Sequence, residues 1–349
     1  RPGGVFGSCR VKLKSLEDNK KEYERLVEVF RAHNIGYFFY NGGNDSADTA
    51  FKVSQISKKL GYPINCIAIP KTVDNDLAVT DCCPGFGSAA KYIATSTLEA
   101  SLDVASMCET STKVFILEVM GRHAGWMAAS SALARNNKND PPHIILMPEI
   151  IFNQKKFLSK TKDIVKKNGY CVIVTSEGIK NNKGKFLAES STKDAFGHTQ
   201  LGGVAPYLSS LIYKKLKLKN HWAVSDYLQR SARHISSKTD LLHAEAVGIH
   251  AVKYAVNGMN GVMPVIVRGK GKKYSWKIEA APLSKIANVE KKLPKSFISK
   301  NGFDVNSKAI AYLKPLIKGE AFPEFKEGLP KLSNLKLLLA PKKLKKWTA

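Results

Sequence analysis

The segment INCIAIPKTVDND (residues 64–76) runs an apolar strand directly into a loop that sets a lysine, a threonine and two aspartates around an asparagine. Six or seven apolar residues with a β-branched core, closed by Pro70, read as a strand buried on both faces. The same pattern recurs in IGYFFYNGG, KVFILEVMG, HIILMPE, YCVIVTSEG and GVMPVIVRG, with helical periodicity between, such as a helix from about Ala47 and another through AGWMAASSALA. Apolar strands alternating with helices predict βαβ units, hence an α/β fold whose mainly parallel sheets are flanked by helices.

In such sheets ligands gather at the carboxyl ends of the strands, where loops meet helix N-termini. The unusual residues of this chain fall there: YNGGND, PKTVDND, EVMGRHAG and TSEG each close a strand. Four such loops predict one shared crevice. The polar stretch at residues 180–203 reads as a long excursion beside it, and the segment from about Lys291 as a C-terminal addition packed on the body.

The chain has 349 residues, 44% of them hydrophobic, enough for a large core and two or three domains. No run approaches the roughly 18 apolar residues of a membrane helix, so no membrane partner and a cytoplasmic location are expected. Six scattered cysteines without a CxxC pair predict reduced thiols rather than a zinc site or disulfide framework. The net charge of +26 comes from 55 basic against 29 acidic residues. Of the basic residues 46 are lysine and 9 arginine, spread thinly and without interleaved aromatics. Arginine is the side chain suited to forked phosphate and base recognition, so the pattern reads as a solvated lysine-rich surface rather than a nucleic-acid face.

Each loop carries candidate chemistry. Gly42 and Gly43 allow close backbone approach to a phosphate, although a glycine pair before Asn or Asp also opens many helices. Asp45 at such a loop calls for a cation or serves to repel an anion, and Asn44 is a neutral oxygen ligand suited to a shared Mg²⁺. If the loop is extended, Asp74 and Asp76 point to one side and Asn75 to the other; an Asx-rich turn would explain Asn75 and Asp76 instead, but not a lysine, a threonine and two acids together. One carboxylate then suits a general base and the other a metal, with Lys71 offering charge to a transferring phosphoryl group. Arg122 could grip a sugar hydroxyl or phosphate. His123 is a candidate base, yet a lone histidine beside a helix start more often serves as a structural hydrogen-bonder. Glu177 could orient a substrate hydroxyl, and Arg230 offers a fork for phosphate.

In chain order, GGNDS, PKTVDND, PGFGSAAKY, EVMGRHAGW, PE, SEG and YLQR resemble the phosphofructokinases, specifically the pyrophosphate-dependent branch, and the similarity runs from GGVFGSCR to the tail. The resemblance implies a phosphofructokinase-like, three-layer αβα fold in two domains, residues 1–85 with 231–285 for donor phosphate and 86–230 with 286–349 for fructose 6-phosphate. It implies Mg²⁺-dependent, readily reversible phosphoryl transfer to the 1-hydroxyl of fructose 6-phosphate. Asp74 would be the base, beside Thr72 and Val73. Met120, Gly121, Arg122, Glu177, Tyr227, Leu228, Gln229 and Arg230 would hold the sugar phosphate. Arg10, Gly43 and Lys71 would meet donor phosphates, and Asn44 and Asp76 the metal. A homodimer or homotetramer is implied, with Lys113 and His221 standing where relatives bring arginines to a neighbouring subunit's sugar phosphate.

Two positions bear on the donor. Family members that use ATP resemble one another in having glycine at the positions of Asp45 and Lys71. A carboxylate ~4 Å from a nucleotide α-phosphate repels it by about 4 kcal/mol at an effective dielectric of ~20, so Asp45 predicts exclusion of ATP and Lys71 a clamp for pyrophosphate. The chain also departs from the pattern. Asn44 replaces a metal-binding acid, and the Gly-rich loop of the GGDAPG kind that begins these proteins is expected to lie before this chain's first residue. The rival readings are an ATP-dependent sugar-phosphate kinase and a sugar-phosphate-binding paralogue without turnover.

Overall fold

The computed structural model describes residues 2–9, 13–193 and 199–348. In chain order its main elements are α1 (Leu16–Ala32), β1 (Tyr37–Gly42), α2 (Asn44–Lys59), β2 (Asn65–Pro70), α3 (Phe86–Met107), β3 (Val114–Val119), α4 (Trp126–Ser130), β4 (Ile144–Leu146), α5 (Gln154–Asn168) and β5 (Cys171–Ser176). A hairpin of β6 (Glu189–Lys193) and β7 (Thr199–Leu201) follows, then α6 (Val204–Leu216), β8 (Asn220–Val224), α7 (Leu228–Ser231), α8 (Lys238–Val256), β9 (Val262–Arg268), β10 (Trp276–Pro282) and α9 (Ser307–Leu313).

Two four-stranded sheets form, in the orders β1-β2-β9-β10 and β4-β5-β3-β8. Every neighbouring pair is parallel except β9 with β10. Alternation along each strand shows why both faces are covered. In β2, Ala68 packs with Ala47 and Ala50 of α2, whereas Ile67 packs with Ala251 and Ala255 of α8. In β3, Val114 and Ile116 meet Leu208 and Ile212 of α6, whereas Leu117 and Val119 join Ala89, Ile93 and Met127 of α3 and α4. Residues of opposite parity thus bury against helices on opposite faces, which makes each sheet the middle of an αβα sandwich.

All six expected strands are present. The helix expected from about Ala47 begins earlier, at Asn44, with Gly43 in the capping position at φ −91° and ψ −151°. Asp45 in the first turn favours this early start, because a carboxylate there meets the positive end of the helix dipole. The antiparallel β10 and the edge strand β8 were not foreseen; both are largely exposed or part-buried and lack a continuous buried apolar run. The segment beyond Lys291 is more than an addition: Leu293, Val305, Ala309, Leu313 and Leu316 are buried members of the central core. Among the described residues no helix is long and apolar enough to cross a membrane.

Candidate functional site

Parallel register places the chemistry. Gly42 of β1 pairs with Pro70 of β2, and the Lys71 N–H donates to the Gly42 carbonyl at 3.0 Å. The NGGND loop and the KTVDND loop therefore leave the sheet side by side, and a Cβ on Gly43 would lie 3.8 Å from Cβ of Thr72. Gly42 has a local cause of its own: a side chain there would strike Ser46 Oγ at 2.0 Å. Its glycine thus serves the tight start of α2.

After Thr72 the chain turns instead of extending. The Asp74 N–H donates to Thr72 Oγ1 at 3.1 Å, and Asn75 takes a left-handed φ of 54°. The loop is therefore not extended, and the alternative of an Asx-rich turn around Asn75 is what forms, with Asp74 and Asp76 still close enough to interact. Asn75 faces inward and is fully buried, while Asp74 and Asp76 are part-buried.

The second wall comes from β3 and β5. Gly121 has φ 130°, and a Cβ there would stand 2.6 Å from the Ala124 carbonyl. Its N–H points to Glu177 Oε1 at 3.4 Å, and Ser176 Oγ donates to its carbonyl. Gln229 is buried, accepting from Met120 N–H at 3.3 Å and donating to the Asp226 carbonyl at 2.8 Å. A cavity of about 180 Å³ opens among Glu118, Met120, Glu177, Asp226, Tyr227 and Gln229. Leu228 and Arg230 project from α7 into solvent, with the Arg230 guanidinium 4.0 Å over the Tyr227 ring.

Charge joins the two walls. Burial raises the Asp74 carboxyl to about 7; the neighbouring Asp76 and Glu177 push the same way, and Arg122 and Lys71 oppose them. Burial also raises Asp76, with Glu290 adding to the rise and Lys291 opposing it, and it raises Glu177, which Arg122 opposes. Loops after β2, β3 and β5 thus share one electrostatic neighbourhood centred on Asp74. His123 plays another part: its Nδ1 pairs with Glu290 Oε1 at 2.5 Å and its ring stacks on Phe186, the structural alternative anticipated for a lone histidine.

The donor set suits a hard cation. Asn44 lies against Asp76, and its amide, assigned from the hydrogen-bond network, donates through nitrogen to the Ile286 and Val289 carbonyls at 3.2 Å each. The amide oxygen is then the atom available as a ligand. One carboxylate and one amide oxygen fit Mg²⁺, which takes few protein ligands and completes its shell with water and phosphate oxygens. No cluster of three or more His, Cys, Asp or Glu able to hold a metal occurs among the described residues.

Two predicted residues stand elsewhere, Lys113 and His221. Arg10 lies outside the described residues. Lys113 and His221 sit at the amino ends of β3 and β8, where Phe115 pairs with His221 and the Lys113 N–H bonds the Lys219 carbonyl. Seven residues separate Lys113 from Met120, about 23 Å at ~3.3 Å per strand residue. Neither residue reaches the cleft of its own chain.

Sequence reasoning missed Glu118 and Asp240. Glu118, 1% exposed inside an apolar strand, accepts from Gly203 N–H at 3.1 Å and Ala205 N–H at 2.7 Å, capping α6 beside the cleft. Asp240 of α8 accepts from Gly85 N–H at 2.9 Å and Ser88 N–H at 3.0 Å, capping α3. The signal for Glu118 was available: an acid inside the run VFILEVM must find donors.

Parallel αβα sandwiches that gather polar and charged residues at the carboxyl ends of their strands belong to the α/β class, whose ligand crevices lie at those ends. Within it, residues 1–255 match the phosphofructokinase family, and the chain belongs to that family. It is 60% identical to the pyrophosphate–fructose 6-phosphate 1-phosphotransferase of Halomonas elongata, over 96% of this chain and 80% of that protein. It is 58% identical to the protein so named from Xanthomonas campestris pv. campestris, over 99% and 83%. The crystal structure of the pyrophosphate-dependent phosphofructokinase from Nitrosospira multiformis is similar at a TM-score of 0.90 and 56% identity, covering 99% of this chain and 82% of that one.

Proposed function

We propose that the chain transfers a phosphoryl group from pyrophosphate to the 1-hydroxyl of fructose 6-phosphate, reversibly and with Mg²⁺, giving fructose 1,6-bisphosphate and phosphate. The observation that carries this reading is the neighbourhood of Asp74, whose carboxyl is raised by burial, Asp76 and Glu177 and lowered by Arg122 and Lys71. A carboxyl held at about 7 is matched to accept a hydroxyl proton near neutral pH. The names of the similar proteins support the donor and the sugar.

In this reading Asp74 is the base and Thr72 and Val73 line its approach. Met120, Gly121, Arg122, Glu177 and Tyr227–Arg230 hold the sugar phosphate, with Gln229 acting through the Met120 amide. Gly43, Lys71 and Arg10 meet the donor, and Asp45 repels a nucleotide α-phosphate. Asp76 and Asn44 hold Mg²⁺, which neutralises charge on the phosphate oxygens when bound. The position of Lys113 and His221, remote from their own cleft, supports their service to a neighbouring copy and a homodimer or homotetramer. The donor domain takes residues 1–85 and 231–285 and the sugar domain 86–230 and 286–349. The working location is the cytoplasm.

The test is a coupled assay with Mg²⁺ and fructose 6-phosphate, offering pyrophosphate or ATP. Turnover with pyrophosphate and none with ATP is expected. Turnover with ATP alone makes the protein a nucleotide-dependent kinase, and turnover with neither makes it a binding protein.

A further inference from the structure

The turn that carries Asp74 and Asp76 is held from behind by residues remote in sequence. The buried Asn75 amide oxygen accepts from Cys83 N–H at 3.0 Å and from Lys291 Nζ at 3.4 Å, and its nitrogen donates to the Tyr312 hydroxyl at 3.1 Å. The Tyr312 hydroxyl in turn donates a hydrogen bond to the Asp81 carbonyl at 2.5 Å. Lys291 Nζ also donates to the carbonyls of Thr80 at 3.0 Å and Asp81 at 2.9 Å, while its backbone N–H donates to the Asp76 carbonyl at 2.7 Å. Trp126 Nε1 bonds the Lys291 carbonyl at 3.0 Å, and the Trp126 ring lies beneath the ammonium. The amide of Asn75 is thereby locked at both ends while its backbone sits at φ 54°.

We propose that Lys291 and Tyr312 are positioning residues for phosphoryl transfer, clamping the Asn75 side chain so that the left-handed turn sets Asp74 and Asp76 at a fixed angle to each other. This rests on the function proposed above. The geometry requires it because Asp74 and Asp76 are the immediate chain neighbours of Asn75: a rotation of that one peptide swings both carboxylates, and reaction rates fall steeply when reacting groups are misplaced by about 1 Å. Tyr312 acts through the Asn75 amide, whereas Lys291 also holds Asp76 directly, through its backbone N–H and its charge.

The test compares Tyr312→Phe, Lys291→Met, Lys291→Arg and Asn75→Gly in the full chain. Tyr312→Phe keeps the ring against Trp126 and removes only the hydroxyl, and Asn75→Gly keeps the left-handed backbone accessible while removing the clamped amide. Expected are kcat losses of about 3–10-fold for Tyr312→Phe and 10–100-fold for Asn75→Gly and Lys291→Met. KM for both substrates should stay within about twofold, and Lys291→Arg should recover part of the Lys291→Met loss. Parental kcat in folded Tyr312→Phe and Asn75→Gly, or a loss expressed only in KM, overturns the proposal. If the parent itself turns over neither donor, the assigned function fails, and hydrogen exchange then decides the clamp separately. Faster exchange confined to residues 72–83 in Tyr312→Phe supports it, and unchanged exchange there overturns it.

Discussion

The Lys71 N–H donates to the Gly42 carbonyl at 3.0 Å, which fixes the start of the KTVDND loop against the start of α2. Through this bond the residue expected to stabilise the donor and the acid expected to exclude nucleotides ride on adjacent strand ends. Lys71→Met should lower kcat with pyrophosphate about 10²–10³-fold, the size found when a charge-stabilising donor is removed. KM for fructose 6-phosphate should stay within a few-fold. Steady-state kinetics in both reaction directions checks this.

Because Asp74 is held at about 7 by burial and by Asp76 and Glu177, kcat/KM should rise with pH along a limb centred near that value, as the base ionises. Lys71 lowers the Asp74 value and Glu177 raises it. Lys71→Met should therefore move the limb to higher pH, and Glu177→Gln to lower pH. A pH profile of each variant is the measurement.

The same shift acts on stability with a definite sign. The folded value of about 7 lies above the ordinary 3.8, so the folded state binds the proton more tightly. Stability from this group is complete below about pH 4 and is lost as pH rises through 7. Asp74→Asn should abolish turnover yet stabilise the fold at pH 8 by about 1–3 kcal/mol, discounted for partial exposure, with little effect at pH 4. Denaturant melts at the two pH values check it.

Glu177 is followed by a residue with no room for a side chain: a Cβ on Gly178 would stand 1.9 Å from the Arg122 carbonyl. Gly178→Ala must push apart the loops after β3 and β5. A stability loss of about 2–3 kcal/mol is expected, together with a roughly tenfold rise in KM for fructose 6-phosphate as Arg122 shifts.

Asp240 is buried and accepts from Gly85 N–H, Ser88 N–H and Ser88 Oγ, the last at 2.6 Å. Asp240→Ala leaves the first turn of α3 without its acceptor and should cost about 2–4 kcal/mol. Because Gly85 bridges to Thr72, kcat should fall as well. Asp240→Asn, which keeps one acceptor oxygen, should lose less of both.

The strands and their exits were legible because parallel strands buried on both faces must be continuous apolar runs, so polar residues at their ends stand out. β8 and β10 were not, since each strand is largely exposed or part-buried and carries no such run. At Asn75 the sequence offered two readings, an extended loop or an Asx-rich turn, and pattern alone did not choose between them. Alternation assigns side chains to faces only while backbone angles stay extended, and one positive φ at Asn75 ends that rule.

Read alone, the chain's order of residues determined an α/β fold, the four loops that close its strands and the chemical types gathered there, since these follow from local hydrophobic pattern and side-chain identity. Tertiary structure alone decided that Asp74 stands between Lys71, Arg122, Asp76 and Glu177, that Lys113 and His221 face away from that cleft, and that Lys291 and Tyr312 reach back more than two hundred positions to hold Asn75. The physical reason is that burial and Coulomb interaction depend on distance through space, which chain folding sets and sequence separation does not.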